Sequence, residues 1–309
     1  MNRGMNKIII VTRKTRLAEL IYKYNTVEQA RFYVEHMGMD FSDYVVEDAN
    51  YNSAVQYVTQ VAGKYARVGV VERAFIPNMI LDKNDVVIVV GQDGLVANTM
   101  KYLDGQPIIG VNPDVKRWDG ILLPFEAREM DTVIPNVIGG RFNVRKVTMA
   151  KAETKDGQTM LAVNDFFIGC NSHGSARYEI SVRQQKERQS SSGIIISTGV
   201  GSTGWYKSVI TQARQIANAF GNNNVQFSPI EWNANKLMYM VREPYPSCST
   251  GANLVFGAIE QNDKIILTSN MPVGGIIFSD GIQDDAMDFN AGMEVQIGIA
   301  PNKGELIDK

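Results

Sequence analysis

The sequence is poor in the residues that build metal and disulfide frameworks. Two cysteines, Cys170 and Cys248, and two histidines, His36 and His173, occur in 309 residues, with no paired spacing. That excludes most zinc frameworks and any disulfide scaffold, and it fits a reducing compartment. An excess of one charge is lacking too: 31 Lys and Arg against 33 Asp and Glu leave a formal net charge of -2. Nothing therefore suggests a polyanion-binding surface, and non-specific nucleic-acid binding is disfavoured. Long hydrophobic runs are missing. Residues Met1 to Lys7 lead directly into Ile8-Ile9-Ile10-Val11, too short for a signal-peptide core or a membrane span, so the cytoplasm is the expected compartment and no membrane partner is expected. No internal repeat, low-complexity tract or GxxxxGK[ST] P-loop occurs, and no GxGxxG follows a strand.

What is present is ordinary for a globular chain, with 44% hydrophobic and 21% charged residues over a length sufficient for two domains. The first third alternates buried strands with amphipathic helices. Ile8 to Val11 reads as a strand covered on both faces. Thr26 with Gln29 forms a capping box ahead of Val27, Ala30, Val34 and Met37, and Ser53 with Gln56 repeats the device before Val55, Val58 and Val61. A short strand is expected around Val68 to Val71. The strongest strand is Val86 to Val90, followed by helical spacing in Val96, Met100 and Leu103, a Gly105-Gln106-Pro107 turn, and Ile108 to Val111. Strand, helix and strand with connections this short imply a parallel sheet.

From about Gly139 the texture changes. Val147, Met149 and Lys151 alternate toward Asp156-Gly157, and the chain returns through Leu161 and Val163, a hairpin signal. Tyr178, Ile180 and Val182 alternate again. Strand-like segments follow at 254–259, 264–268, 275–278 and 294–299. The polar stretch Arg183 to Ser192 reads as a surface connection. One helix interrupts: Trp205, Val209, Ile216 and Phe220 share a face, and Gly221 stands at a C-cap position. The expected organisation is an α/β domain over 1–138, carrying the Gly-Gln-Asp-Gly loop, and a mainly β domain over 139–309, whose C-terminal tail is free to pack back on the first.

Three segments carry candidate chemistry. Gly91-Gln92-Asp93-Gly94 lies directly after the hydrophobic strand and before a helix, where ligands of open parallel sheets bind. Glycines there let backbone N–H groups approach phosphate, and a helix N-terminus favours anions; a glycine-rich turn needed only for steric reasons reads the same way. Val163-Asn164-Asp165 ends a strand. Asn suits a base edge and Asp accepts from ribose hydroxyls, although a plain turn has the same composition. Ser197 to Trp205, with Lys207 and Ser208 beyond, follows the strand Ile194-Ile195-Ile196 and opens the helix. Its small residues would let a ligand lie against backbone with Trp205 stacked on a base or nicotinamide; the alternative is an elaborate N-cap with Trp205 in the core. Of the remaining candidates, His173 reads as a loop histidine and Arg177 as a phosphate ligand or a surface ion pair. Arg13, Lys14 and Arg16 read as a solvated loop on the ligand side of the sheet. Asp280, Asp284, Asp285 and Asp288 are spaced unlike a calcium loop and read as decorating a turn.

Taken together, the three segments resemble the NAD kinase family, which carries a Gly-Gly-Asp-Gly loop, an Asn-Glu pair and a Thr-Gly-Ser-Thr stretch in this order. The matching positions are Gly91 to Gly94, Asn164-Asp165 and Gly201 to Ser208. Ile109-Gly110-Val111-Asn112 looks like the family's strand after the glycine loop, and Phe278-Ser279-Asp280-Gly281 like its late Ser-Asp-Gly turn. Tyr178 to Val182, Ser191-Ser192-Gly193 and Val241-Arg242-Glu243-Pro244 resemble the mitochondrial-type branch. The likeness runs from about residue 86 to 300, more faintly through Arg13 to Arg16. It implies an NAD kinase/diacylglycerol kinase-like fold, an α/β domain with a parallel sheet plus a mainly β domain, with a cleft between them. It also implies Mg²⁺- and ATP-dependent phosphorylation of the 2′-hydroxyl of NAD's adenosine ribose, and a homodimer or homotetramer.

Carried over by position, Asp93 would be the catalytic group facing the 2′-hydroxyl, with Gly91, Gln92, Gly94 and Asn98 lining the phosphate loop. Asn164 and Asp165 would hold the adenosine. Thr203, Gly204, Trp205 and Ser208 would complete the NAD pocket, and Arg177 would meet an NAD phosphate; no resident metal site is expected in the protein itself. The chain departs from the family at Gln92, which replaces a glycine, at Leu95, which replaces a threonine, and at Asp165, which replaces glutamate. A positive φ at Gln92 would cost roughly 1–2 kcal/mol, a negative one little. Two other readings stay open on these departures: a catalytically silent NAD(P)-binding regulator, and a kinase for a lipid or sugar acceptor.

Overall fold

The computed structural model describes residues 7–222 and 224–309; the opening segment read above as the lead-in to the first strand lies, up to residue 6, outside them. In chain order the elements are β1 (Lys7–Thr12), α1 (Arg16–Tyr24), α2 (Val27–His36), α3 (Phe41–Ala62), β2 (Arg67–Glu72), β3 (Val86–Val90), α4 (Asp93–Met100), β4 (Ile108–Asn112), β5 (Phe125–Glu126), α5 (Met130–Ile138) and β6 (Asn143–Val147). There follow β7 (Ala150–Thr154), β8 (Thr159–Ala162), β9 (Asp165–Cys170), β10 (Ala176–Val182), β11 (Gln185–Ser191), β12 (Ile194–Ser197) and α6 (Trp205–Ala219). The chain ends with β13 (Lys236–Val241), β14 (Phe256–Glu260), β15 (Ile265–Ser269), β16 (Gly275–Ser279), β17 (Ile282–Asp288), β18 (Glu294–Ile299) and β19 (Gly304–Asp308). Two compact units result, Met1–Arg145 with Glu305–Lys309, and Lys146–Gly304.

The first unit is built on a seven-stranded sheet ordered β2-β1-β3-β4-β19-β6, with β5 beside β4. Strands β2, β1, β3, β4 and β5 run parallel, and β19 joins β4 in parallel through Leu306 opposite Ile108. Val86–Val90 and Ile108–Asn112 are buried along their whole length, as expected for strands covered on both faces. Ile8, Ile10, Ile88, Val90 and Ile109 pack with Tyr51, Ala54, Val58 and Val61 of α3. Helix α3 begins earlier than Ser53 suggests. Asp40 is its N-cap, accepting from the Ser42 N–H, and Ser53 falls in mid-helix. Thr26 caps α2 through the Gln29 N–H, as its sequence implies.

The second unit contains two antiparallel six-stranded sheets, ordered β11-β10-β15-β18-β7-β8 and β14-β13-β12-β9-β16-β17. Between them lies a core that includes Phe166, Ile168, Tyr178, Ile180, Ile194, Ile196, Tyr239, Leu267, Phe289 and Val295. The hairpin at Asp156-Gly157 is present, with Gly157 at φ +88. Most of the polar stretch 183–192 is the strand β11, Gln185–Ser191, and only Arg183 and Gln184 form a connecting turn. The strand pairs with β10 at a sheet edge, where Gln189 and Ser191 turn inward to the buried Tyr178 hydroxyl. Likewise Asp284, Asp285 and Asp288 sit on the edge strand β17, and Asp280 alone of the four is on the turn. Helix α6 buries Tyr206 and Ile210, while Ile216 and Phe220, placed on the same face by the sequence, are exposed.

Candidate functional site

In the first unit the residues Gly91 to Gly94 form the link between β3 and α4 at the carboxyl end of the parallel sheet. Gln92 is the helix N-cap at φ -115, in extended backbone, so its side chain costs no left-handed strain. Asp93 occupies the first helical turn and is half-buried. Its Oδ1 accepts the backbone N–H of Leu122 at 2.6 Å, and Oδ2 takes no hydrogen bond from the described residues. Gly94 is exposed, with nothing within 4 Å of where a Cβ would stand. Asn98, buried one turn on, donates from Nδ2 to the Gly94 carbonyl at 2.9 Å and closes the first turn. A Cβ on Gly91 would meet Leu95 Cδ2 at 2.7 Å, so the leucine standing for the family's threonine lies across this glycine.

Leu122 belongs to the loop after β4, and that loop is held from below. Gly110 lets it settle on the strand: a Cβ there would lie 2.0 Å from the Leu122 carbonyl oxygen. Asn112 ties the loop together, donating to the Trp118 carbonyl at 2.9 Å and accepting the Asp114 N–H at 3.0 Å. From the side, helix α3 presents Asp43, Glu47, Asn50 and Tyr51. Asp43 pairs with Arg117 and Arg16, Glu47 with Arg13 and Arg16, and Asn50 with Asp114. The Tyr51 hydroxyl accepts the Arg13 N–H at 2.8 Å and donates to the Val90 carbonyl at 3.0 Å. Arg13 and Arg16 are thus bound into an ion network and Arg16 opens α1, in place of the solvated loop that composition suggested. Hydrogen bonds from Arg117 and then Arg16 hold the Asp43 carboxyl well below the usual carboxylate range.

In the second unit three segments converge on Asn164. The chain crosses from β8 to β9 through Val163 and Asn164, and Asp280 catches this crossing. Its Oδ1 accepts N–H groups from Asn164 at 2.6 Å, Val163 at 3.1 Å and Asp165 at 3.3 Å. In return the Asp280 N–H donates to the Asp165 carbonyl at 3.0 Å. Asp280 holds this position at φ +54, in the left-handed region that Asp tolerates better than most residues. On the other side the Thr198 N–H donates to the Asn164 carbonyl at 2.9 Å, and the Thr198 hydroxyl donates to the Val163 carbonyl. Gly201 packs so close that a Cβ would stand 2.0 Å from the Asn164 carbonyl oxygen.

Asp165 is 8% exposed, and its carboxyl takes no hydrogen bond from the described residues. Burial first, and the charge of Asp280 second, push its pKa up to about 7. Its side chain shares a sheet face with Phe167, whose ring stacks on Trp205 at 5.7 Å between centroids. Arg242 lies 5.6 Å from the Trp205 ring. Trp205 is half-buried at the start of α6, behind the exposed Thr203 and Gly204, and Ser208 is exposed one turn on. A groove of about 380 Å³ runs past Trp205, Ser208, Gln212, Arg242 and Pro244. Arg177 stands apart. It is exposed on β10, beyond the turn that follows Cys170, at the opposite end of β9 from Asn164. His173 lies exposed in that turn.

Two contributors escaped the sequence reading. Leu122 acts through its backbone N–H, which leaves no side-chain signature. Asp280 was visible as part of a Ser-Asp-Gly turn, and an aspartate preceding glycine between two strands is the available hint of a side chain capping backbone.

Two solved structures share this fold over nearly the whole chain. A yeast NADH kinase complexed with NADH matches with a TM-score of 0.61 at 14% identity, covering 99% of this chain and 84% of its own. An NAD kinase from Archaeoglobus fulgidus in complex with ATP matches with a TM-score of 0.61 at 14% identity, covering 98% of this chain and 93% of its own. No protein-family profile matches the sequence, and no curated protein is significantly similar to it. The chain therefore has the two-domain fold of the NAD kinases, an α/β unit with a parallel sheet and a unit of antiparallel sheets. No helix among the described residues is long and apolar enough to cross a membrane.

Proposed function

We propose that the chain is an NAD kinase, transferring the terminal phosphate of Mg-ATP to the 2′-hydroxyl of NAD's adenosine ribose to give NADP. The observation that carries this reading is the Asp93 carboxylate. One of its oxygens is fixed by the Leu122 N–H, and the other is left without a hydrogen bond from the described residues, in the first turn of α4 beyond a parallel strand. That is a positioned acceptor beside backbone N–H groups suited to phosphate. A carboxylate is too weak a base to remove a ribose proton beforehand, so Asp93 orients the hydroxyl and takes the proton late, as the phosphorus–oxygen bond forms.

In this reading Gly91, Gln92, Gly94 and Asn98 shape the phosphate loop. Asn164 offers its amide to the adenine edge, Asp165 accepts from ribose hydroxyls, and Thr203, Gly204, Trp205 and Ser208 complete the dinucleotide pocket. Arg177, exposed at the far end of β9, is kept in this reading as a separate contact to an NAD phosphate. No group of three His, Cys, Asp or Glu side chains among the described residues could cage a metal. Magnesium is taken to enter as part of the Mg-ATP substrate, where it would neutralise phosphate charge. Self-association as a homodimer or homotetramer, a cytoplasmic location and membership of the mitochondrial-type branch belong to the same proposal, the last resting on 178–182, 191–193 and 241–244.

The test is NADP⁺ formation from NAD⁺ and Mg-ATP by the purified protein, read with an NADP-specific dehydrogenase. Turnover that disappears in Asp93→Asn is the expected result. Dinucleotide binding without any ATP-dependent product would overturn the kinase in favour of a silent binder, and phosphorylation of a lipid or sugar alone would overturn the acceptor.

A further inference from the structure

The crossing that carries Asn164 and Asp165 is held by remarkably little of its own sequence. Three consecutive backbone N–H groups, of Val163, Asn164 and Asp165, all point at one carboxylate more than a hundred residues away, that of Asp280. Three N–H donors on one carboxylate, answered by the Asp280 N–H on the Asp165 carbonyl, form a two-way clamp. The clamp is made by a residue in left-handed backbone, flanked by Gly281 at φ +75. The two residues form the turn between β16 and β17, with Ser279 opposite Ile282, a left-handed pair that an Asp-Gly hairpin favours and that aims the Asp280 carboxylate at the crossing.

We propose that Asp280 is a positioning residue of the nucleoside site: it fixes the backbone from which Asn164 and Asp165 reach the dinucleotide, and it touches no substrate itself. The inference rests on the assignment of Asn164 and Asp165 to the dinucleotide in the preceding subsection. Without Asp280 the three N–H groups lose their acceptor, the crossing relaxes, and the Asn164 amide and Asp165 carboxylate lose their fixed origin.

The same residue reaches Asp165 a second way. The elements packed against Asp165 are poor in charge: β8, β12, β16 and residues 198–204 carry no titratable side chain. What remains is Asp280 on its turn, Tyr206, Lys207 and Arg214 on α6, and Asp284, Asp285 and Asp288 on β17; of these, Asp280 alone acts on Asp165. Burial first, and the negative charge of Asp280 second, thus move the ionisation of Asp165 from the acid range to about 7. Affinity for NAD⁺ then rises with pH through about 7 as Asp165 becomes able to accept from ribose hydroxyls.

The experiment compares wild type with Asp280→Asn, which suits left-handed backbone and keeps one acceptor oxygen. NAD⁺ binding and turnover are measured as a function of pH. At pH values where Asp165 is ionised in both proteins, KM for NAD⁺ is expected to rise about tenfold with kcat changed little, as loss of charge-assisted N–H bonds implies. The pH midpoint of NAD⁺ binding is expected to move down in the variant, because the negative charge beside Asp165 is removed. An unchanged KM together with an unchanged midpoint would overturn the proposal. Amide exchange in the wild-type protein decides the clamp independently of any ligand: the Asn164 N–H should exchange slowly, and free exchange would overturn the proposal even if the variant fails to fold. A protein that binds no dinucleotide while Asn164 is protected would sink the kinase reading and leave the clamp standing.

Discussion

Asp93 and Leu122 meet through a single hydrogen bond, 2.6 Å from the leucine N–H to the carboxylate, and that bond depends on a glycine neither residue touches in sequence. Gly110 on β4 lets the Leu122 carbonyl sit where any side chain would be, so the strand's lack of a Cβ sets the height of the loop.

Gly110→Ala would place a methyl group 2.0 Å from that carbonyl oxygen, against backbone that cannot rotate away. The loop must lift, and with it the partner of Asp93. We expect a stability loss of roughly 1–3 kcal/mol, typical of overpacking. We also expect NADP⁺ formation to fall more than NAD⁺ binding. Denaturant melts and steady-state kinetics on the same preparation check both; a variant with full kcat would separate the Leu122 bond from catalysis.

Gln92→Gly tests the difference from the Gly-Gly-Asp-Gly loop that this segment resembles. Gln92 already lies at φ -115, so glycine brings no conformational relief and adds freedom to the unfolded chain. Glycine is a good N-cap and Gln92 makes no capping bond, so the variant should lie within about 0.5 kcal/mol of wild type and be no more active. A several-fold gain in kcat would show instead that the glutamine side chain crowds the phosphates.

How far the sequence disclosed this architecture depended on where the deciding interactions lay. Val86–Val90 was legible because a strand buried on both faces must be apolar throughout. Strand β11 was not, because its polar residues 185–191 are kept in the sheet by an edge pairing with β10 and by the distant Tyr178 hydroxyl. Ser53 mimicked a helix start, yet the helix was already under way from Asp40, and local capping chemistry cannot report what precedes it. At the candidate site each chemical segment could be proposed from its own residues. The groups that hold them, Leu122 by backbone and Asp280 from 116 residues away, could not, since their partners are set by tertiary packing.

Asp43 ties the loop after β4 to the start of α1 through Arg117 and Arg16. Its pKa is depressed in the folded state, so its stabilising contribution is present above the unfolded carboxylate value near 4 and is lost as pH falls below it. Asp43→Asn should therefore melt below wild type at pH 7, and the two curves should converge in acid. Because Asp43 is largely solvent-accessible, added salt should narrow the gap at pH 7 as well. Identical melting temperatures at pH 7 in low salt would show that the pairs contribute nothing.

Asp165 carries the opposite sign. Its folded pKa is raised to about 7 from an ordinary 3.8, so the folded protein takes up a proton on this group between those values. Stability attributable to Asp165 is full below about 4, declines as pH rises through the window, and is lost above about 7. Asp165→Asn removes the titration while keeping the shape. Relative to wild type it should be no more stable in acid and more stable at pH 8, with a ceiling of roughly 4 kcal/mol from ~3 pKa units at about 1.4 kcal/mol each. The same substitution should weaken NAD⁺ binding, because an amide accepts ribose hydroxyls less well than a carboxylate. Urea denaturation at several pH values and NAD⁺ titration check the two halves of the prediction. A variant that gains stability at pH 8 and loses affinity would mark Asp165 as a group whose burial is tolerated for the sake of its ligand. A variant that loses stability at pH 8 would mean that the carboxylate makes favourable contacts that outweigh its burial and the repulsion of Asp280.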